Sequence, residues 1–549
     1  MKKQVLLIVA ILLLAVSFVN AQTPNWLWAK SAEGAGSDFS QSVTTDAVGN
    51  IIVTGFFYSP TITLGTTILT NAVSSSDSSD FFIVKYDVNG NVLWAKSAGG
   101  NSNDEGYSVT TDVGGNIIVT GYFASPTITF GTTTLTNAGY GNIFIVKYAS
   151  NGNVLWAKSA GGAGNDGSAI VTTDVGGNII VSGSFKSNTI TFGTTTLTNT
   201  ENSTHFSDFF IVKFNSNGNV LWAKKAGEFF NDGASSVTTD AGGNIIVVGI
   251  FENSTITFGT TTLTTEGCFI VKYDGNGNVL WAKKAGGHPD KGYSITTDAG
   301  GNIIVTGEFY SPTITFGTIT LTNVNSTNSF SDFFIVKYDG NGNVLWAKSA
   351  GGIMVDYGIS VTTDAGDNII VTGSFNSSTI TFGSTTLVNA GDCNVFIVKY
   401  DSNGNVLWAK SVGGNVYDSG EGVITDAIGN IFVTGSFNSP TITFGTTTLT
   451  NNMTNVSSDF FLAKLDATNG VKDIPTSQIS IFPNPTNSQV IIKGITHPTV
   501  LVYNLMGQKV AASQGCNEVS LATLPPGMYM VQVFSKDMAM VKSEKVVKE

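Results

Sequence analysis

Apolar residues in this chain fall into short runs separated by stretches rich in Gly, Asn, Asp and Thr. In Phe333-Phe334-Ile335-Val336 they occupy odd and even positions alike. A strand with one wet face alternates; a run that is apolar on both faces belongs to a sheet covered on both sides. The runs are rich in Val, Ile, Thr and Phe and show no helical period, so they predict strands joined by tight turns. Gly-Asn pairs between them supply the positive φ that hairpin connections require.

The runs recur in a fixed order, and internal repetition decides the architecture. Leu-Trp-Ala-Lys returns with its Trp at 28, 94, 156, 222, 281, 346 and 408. In one copy a Gly-rich stretch leads to Val361–Asp364, then the turn Ala365–Asn368, the run Ile369–Gly373, and Thr379–Gly383. It ends in Phe396–Tyr400 and the turn Asp401–Asn405. Four main strands per unit of this length suit radial repetition in a propeller, whereas a β-helix coil is far shorter. The Thr-Ile-Thr-Phe-Gly stretch is then an extra hairpin or a long connection within the blade.

The chain ends specify closure. The first copy starts abruptly at Trp26-Leu27-Trp28-Ala29-Lys30. The last ends at Phe461-Leu462-Ala463-Lys464 with no Leu-Trp-Ala-Lys after it. One orphan strand matches one missing strand, which predicts that the N-terminal strand completes the last blade and removes two exposed sheet edges. The expectation is an all-β, seven-bladed β-propeller over 22–465. Before it, residues 1–21 read as a secretory signal: Lys2 and Lys3, an apolar stretch from Val5 to Val19, and Ala21 at the cleavage point. After it come a linker at 466–476 and a small all-β module at 477–549.

Composition sharpens this. Only 12% of residues are charged, against about 25% in an average soluble protein, so uncharged polar groups cover the surface. The net charge is -12 and no basic stripe appears, which argues against nucleic acid as a partner. Cys268, Cys393 and Cys516 are odd in number and scattered, so they read as free thiols rather than a disulfide framework. His205, His288 and His497 show no ligand spacing.

Two resemblances add to this. Asp-x-x-Gly-Asn-Ile-Ile-Val-Thr-Gly, Phe-Ile-Val-Lys-Tyr-Asp and Gly-Asn-Val-Leu-Trp-Ala-Lys resemble the SBBP-type β-propeller repeats over roughly 26–470, a family that implies a propeller and no single chemistry. The tail carries Pro483-Asn484-Pro485, then Leu505-x-Gly507-x-x-Val510, then Leu524-Pro525-x-Gly527-x-Tyr529. Together and in order, these resemble the type A C-terminal sorting domain of the type IX (Por) secretion system. That resemblance implies an immunoglobulin-like β-sandwich, recognition by the outer-membrane machinery, and removal on export with release or attachment at the cell surface. The plainer alternative is a terminal sandwich that binds something else.

Three sets of Asp repeat with the unit. Asp38, Asp104, Asp166, Asp232, Asp290, Asp356 and Asp418 fall in the loops entering the innermost strands. A ring of them could hold a cation or bind sugar hydroxyls; the favoured reading is loop-capping of backbone N–H groups. Asp46, Asp112, Asp174, Asp240, Asp298, Asp364 and Asp426 open Asp-x-x-Gly-Asn hairpins and read as turn formers. Asp274 and Asp401 lie in turns that look like calcium loops, but the distal Glu is missing, and other copies carry Ala149 or Asn215 there. A structural calcium ion is therefore possible but not favoured, and no cofactor is expected.

No catalytic motif stands out. Two of the many Asp could converge as a glycosidase pair, but catalytic carboxylates should break the repeat symmetry, and these obey it. The asymmetry lies in loops. Segments before the Phe-Phe-Ile-Val-Lys strand are long in copies one, three, five and seven, as at Ser74–Asp80, and should share a face with the Asp38-type loops. That face also gains Phe229, Phe230, His288 and Tyr417, the candidate interaction residues. The favoured function is a secreted or surface-attached, non-enzymatic module that binds glycans or proteins; the alternative is a secreted polysaccharide hydrolase or lyase.

Overall fold

The computed structural model describes residues 23–549 apart from 33, 74–76, 201–204, 288, 326–329, 452–456, 468–478, 496–497, 505–508 and 535–539. The expected signal segment and nearly all of the expected linker lie outside the described residues. What is described forms two compact units, Thr23–Ala467 and Thr468–Glu549. Among the described residues every regular element is a strand, and no helix is long and apolar enough to cross a membrane.

The first unit contains seven four-stranded antiparallel sheets in a propeller-like, all-β arrangement. Copy six shows the pattern. Its first strand is Asp356–Thr363 and its second is Ile369–Phe375. A separate two-stranded hairpin follows, Thr379–Phe382 with Thr385–Val388. The third strand, Asn394–Tyr400, returns beside the second, and Val406–Val412 forms the outer edge. In copy seven the outer place is taken by Trp26–Ser31, antiparallel to Asp459–Leu465 with Ala29 opposite Ala463.

Third strands are buried along their whole length, and second strands are too except at the next-to-last position in copies one to four, as the two-sided apolar runs require. Their side chains interlock between sheets. One core joins Ile52, Phe81 and Ile83 of copy one to Ile117, Val119, Phe144 and Val146 of copy two. Full burial of each large side chain is worth about 1.5–3 kcal/mol. A core of this kind lies at every junction, including one that unites Val43 and Phe82 with Phe432, Phe460 and Leu462.

The first strands touch one another in a complete circuit, with Asp418–Thr425 against Asp38–Thr45. A hydrogen-bond circuit follows the same path. Thr111, Thr173, Thr239, Thr297, Thr363 and Thr425 each donate from Oγ1 to the carbonyl of the matching Thr one copy back, at 3.0 to 3.2 Å. Thr45 donates to the Thr425 carbonyl at 3.3 Å, so the circuit has no free end.

Turns bind neighbours as well. Gly152, at φ 85°, lies against Trp94 of the preceding copy, and a Cβ there would come within 3.0 Å of the indole. Positive φ and ring contact together restrict the position to Gly. The Trp94 indole N–H in turn donates to the Ser150 carbonyl at 3.2 Å.

The second unit is small and all-β. Ser480–Phe482, Gln489–Lys493 and Glu518–Ser520 form one sheet; Lys509–Gln514, Thr499–Tyr503, Gly527–Phe534 and Met540–Lys548 form another. Ile481, Val490, Val519, Val500, Val502, Val531 and Val546 from both sheets close on a single core. The Pro-Asn-Pro stretch has cis bonds at Phe482–Pro483 and Asn484–Pro485.

Candidate binding site

Six first strands open on one of the Asp38-type residues, and Asp290 immediately precedes the seventh; all seven Asp are no more than 2% exposed. Each carboxylate is gripped by the residue 21 positions on, at the exit of the second strand. Ser59 bonds Asp38 at 2.8 Å, Ser125 bonds Asp104 at 2.6 Å, and Ser187 bonds Asp166 at 2.5 Å. Asn253 bonds Asp232 at 2.8 Å, Ser311 bonds Asp290 at 3.0 Å, Ser377 bonds Asp356 at 2.6 Å, and Ser439 bonds Asp418 at 2.8 Å. Backbone N–H groups of the entering loops add to this, as Gly352 does for Asp356. Burial raises Asp38 to about 8 and Asp104, Asp232 and Asp356 to about 7. No three acidic, His or Cys residues come together as a metal-holding group among the described residues.

The second Asp set turns the hairpins, since Asp298 Oδ1 accepts from the Asn302 N–H at 2.8 Å. It also has a partner that the sequence analysis did not assign. The Lys of Phe-Ile-Val-Lys-Tyr forms a buried ion pair with it in six copies: Lys85–Asp46, Lys147–Asp112, Lys213–Asp174, Lys272–Asp240, Lys337–Asp298 and Lys399–Asp364. The available signal was a charge at one fixed place in an otherwise apolar strand. In the third set, Asp274 Oδ1 accepts from the N–H groups of Asn276 and Asn278, and Asn215 does the same. Asn thus serves as well as Asp, and in copy two, where Ala149 offers no acceptor, Asn151 Oδ1 accepts from the Asn153 N–H at 3.1 Å instead.

The chemistry that departs from the repeat lies beside the Asp38-type residues, where first strands begin. Phe39, Glu105, Lys291 and Tyr357 follow the leading Asp, while copies three and four have Gly167 and Gly233 there. Opposite them on the second strand stand Phe56, Tyr122, Glu308 and Ser374. Two polar–aromatic groups result. In the first, Glu105 accepts from the Tyr107 hydroxyl at 2.7 Å and from Ser79 at 3.2 Å, and Phe39 packs on Phe56 with centroids 5.3 Å apart. In the second, buried Glu308 accepts from the Tyr293 hydroxyl and from Ser331 at 2.7 Å, with Lys291 at 3.8 Å. The hydroxyls of Tyr357 and Tyr417 meet at 2.5 Å, and Tyr293 lies 6.5 Å from Tyr357. Burial raises Tyr107, Tyr293 and Tyr357 well above an ordinary phenol, and the nearby Glu105 and Glu308 add to the first two. These phenols stay protonated as donors. Burial also raises Glu421.

Of the four residues expected at an interaction face, Tyr417 joins this second group. Phe229 and Phe230 are 60% and 48% exposed, with Phe230 packed edge-on against Phe206 at 5.2 Å. Among the described residues no hydrogen bond or ring contact links them to Tyr417, and His288 lies outside the described residues. The long loops are described only at their ends, yet those ends belong to this face: Asp104 N–H donates to the Ser79 carbonyl at 2.8 Å. Tyr107, Tyr293, Tyr357, Glu105 and Glu308 escaped the sequence analysis because they lie in strands, not loops. The signal was variation at fixed strand positions of an otherwise uniform repeat. The larger clefts, of about 250 to 270 Å³, sit between a hairpin, the outer turn of its own copy and the outer strand of the preceding sheet, and repeat with the unit, as at Gly65, Gly193 and Gly259.

Residues 480–549 match the family model described as the secretion system C-terminal sorting domain. The tail is a type IX export address. It directs the chain to the cell surface or the extracellular space. Over 473 residues the chain is 27% identical to an uncharacterized WD repeat-containing protein of Acanthamoeba polyphaga mimivirus, a match covering 69% of this chain and 33% of that one. The chain thus spans about a third of that relative's length. Among solved structures it is similar to the WD40 domain of Neurospora crassa Pan2, with a TM-score of 0.30 and 10% identity, covering 63% of this chain and 94% of that one. It is also similar to the polysaccharide lyase Uly1, with a TM-score of 0.39 and 9% identity, covering 82% and 94%. No chemistry is transferred from either likeness.

Proposed function

We propose that the seven sheets are the blades of a closed seven-bladed propeller that acts outside the cell as a non-enzymatic binding or adhesion module. Closure is supported by the pairing of Trp26–Ser31 with Asp459–Leu465 and by the unbroken Thr circuit. In this reading residues 1–21 are a cleaved signal, 466–476 a linker, and 477–549 an immunoglobulin-like tail removed on export, with the blades released or attached at the surface.

The observation that carries the binding role is the pair of Tyr–Glu groups where the first strands begin, the place where strand positions abandon the repeat. Phenol faces suit the C–H faces of sugars or apolar side chains, and Glu–Tyr–Ser sets fix hydroxyls and amides. Acidic groups at this end, on a chain of net charge -12, disfavour a polyanion. The ligand class is therefore a neutral glycan or a protein segment.

The full secreted chain should be retained on a neutral polysaccharide or protein from a surface panel, without new chain ends. Tyr107→Phe with Tyr357→Phe should weaken retention at least tenfold and leave the Tm unchanged. New reducing or unsaturated ends that vanish in Glu105→Gln or Glu308→Gln would instead establish the hydrolase or lyase alternative.

A further inference from the structure

Where one sheet passes to the next, a Gly-rich loop joins the outer strand to the following first strand. Beside that loop, the third strand opens on Asp80, Asp208, Asp332 and Asp459 in copies one, three, five and seven. Copies two and six have Asn142 and Asn394 there, and copy four has Gly267. The four Asp are 0 to 2% exposed. Oδ2 accepts a backbone N–H in three of them: from Ala72 to Asp80 at 2.8 Å, Thr200 to Asp208 at 3.0 Å and Val324 to Asp332 at 2.8 Å. The other oxygen of these three, and Oδ2 of Asp459, is enclosed and accepts nothing. A buried carboxylate oxygen without a partner costs several kcal/mol unless a cation or proton meets it.

A second carboxylate stands at each place. The backbone brings the two together: the N–H of Asp104 donates to the Ser79 carbonyl at 2.8 Å, that of Asp356 to Ser331 at 2.8 Å and that of Asp38 to Ser458 at 2.6 Å, each next to the other Asp. Burial chiefly raises Asp104, Asp232, Asp356 and Asp38, and the charges of Asp80, Asp208, Asp332 and Asp459 add to it. Asp208 Oδ1 and Asp232 Oδ2 lie 2.6 and 2.9 Å from the point where a Gly227 Cβ would stand.

The other copies reveal what the position demands. With its amide oriented to satisfy its neighbours, Asn142 donates to the Gly141 carbonyl and to Asn137 Oδ1, both at 3.2 Å. Asn394 likewise donates to the Cys393 carbonyl and Asn389 Oδ1, at 3.1 and 3.2 Å. The environment is thus made of oxygen acceptors, and the even copies place an NH₂ group in it. The odd copies place a carboxylate oxygen there. In copy three Lys225 Nζ lies 2.7 Å from Asp208 Oδ2, so that carboxylate already has a counter-charge, although its Oδ1 stays enclosed. No Lys ion pair serves Asp80, Asp332 or Asp459 among the described residues.

We propose that the junctions Asp80–Asp104, Asp332–Asp356 and Asp459–Asp38 each hold a calcium-type divalent cation, completed by neighbouring carbonyl and amide oxygens and water. Calcium takes 6–8 oxygen ligands of this mixed kind and needs no cluster of three acids. Two carboxylates balance its charge, and His or Cys ligands for a softer metal are missing from these sets. Each ion pins one sheet to the next.

The test uses the full mature chain, stripped with a chelator at pH 7.5 and titrated with calcium chloride by calorimetry, alongside thermal melts. About three ions should bind per chain and raise the Tm. Asp80→Asn with Asp332→Asn and Asp459→Asn, which copies Asn142 and Asn394, should bind none and be stable without calcium, while Asp208→Asn should leave the ion count unchanged. The proposal fails if millimolar calcium neither binds nor stabilises, if the triple variant keeps the wild-type ion count, or if acidification alone stabilises the chain while calcium has no effect.

Discussion

Replacing Lys337 with Met should isolate the energetic role of the repeated buried ion pair. Lys337 Nζ lies 2.8 Å from Asp298 Oδ2, and the two side chains are 4% and 3% exposed. The ammonium also donates at 3.1 Å to the Ser402 carbonyl in the next copy, so one charge ties a hairpin to its own sheet and to its neighbour. Burial alone would raise Asp298, but the Lys337 ammonium and the Asn302 donors outweigh it and hold the carboxyl below its ordinary value. Removing the Lys leaves a buried charge, and breaking such pairs costs about 3–5 kcal/mol. The surviving donations from the Asn302 N–H and side chain, both at 2.8 Å, place the expected loss near the lower bound, at about 3 kcal/mol. Urea unfolding followed by Trp fluorescence measures it. Asp298→Asn in the same chain should restore much of the loss, because it removes the stranded charge. Lys542→Met gives the contrast: its pair with Glu544 is 26% and 33% exposed at 3.4 Å and should be worth less than about 1 kcal/mol. A loss under about 1 kcal/mol for Lys337→Met, or no recovery in the double variant, would refute the reasoning.

Other outcomes follow from the same structure. Asp38 is raised to about 8, Asp459 to about 7, and Asp80 and Asp332 to about 6, so their stabilising contribution is full below an unfolded value of about 3.8 and is lost as pH rises through 6 to 8. Melts of the chelator-treated chain should fall between pH 5 and pH 8, by about 1.4 kcal/mol per pH unit for each group in its window; a flat profile would contradict the assignment. The depressed Asp298-type groups act oppositely, and stability should drop again as pH falls below about 3.8. Deleting residues 23–31 should expose the Asp459–Leu465 edge and produce association visible by light scattering, whereas a monomer of unchanged Tm would rule out the closure. Fusing 468–549 to a periplasmic reporter should send it to the surface in a host with the type IX machinery, and retention in the periplasm would count against that address.

The strand order was legible because every strand declares itself through residues that serve a single purpose: apolar on both faces within the sheets, Asp or Asn and Gly in the hairpins. The Thr circuit was hidden, since Val-Thr-Thr-Asp reads as β propensity and nothing in it indicates that Thr111 reaches the Thr45 carbonyl. The Lys85–Asp46 pair was half visible, because each partner repeats faithfully while the distance between them is set by sheet register. At the binding end, Phe229 and Tyr417 drew attention as loop irregularities. Glu105 and Glu308 arise in two different strands, and only the pleat brings each of them to a Tyr hydroxyl.

The strand Trp26–Ser31 is the seventh outer strand, and the one that is separated in sequence from the rest of its sheet. Its Trp-Ala-Lys core is shared with the outer strands of copies one to six, so six other docking sites along the chain accept nearly the same sequence. It is also synthesised first, while its partner Asp459–Leu465 is synthesised last among the blades. Until then it competes with Val92–Ala98 for the edge of copy one, and at high concentration it can complete copy seven of another molecule instead. Refolding this chain from denaturant should therefore yield strand-exchanged dimers in proportion to concentration, whereas vectorial export delivers the partners of one chain together and favours the closed monomer.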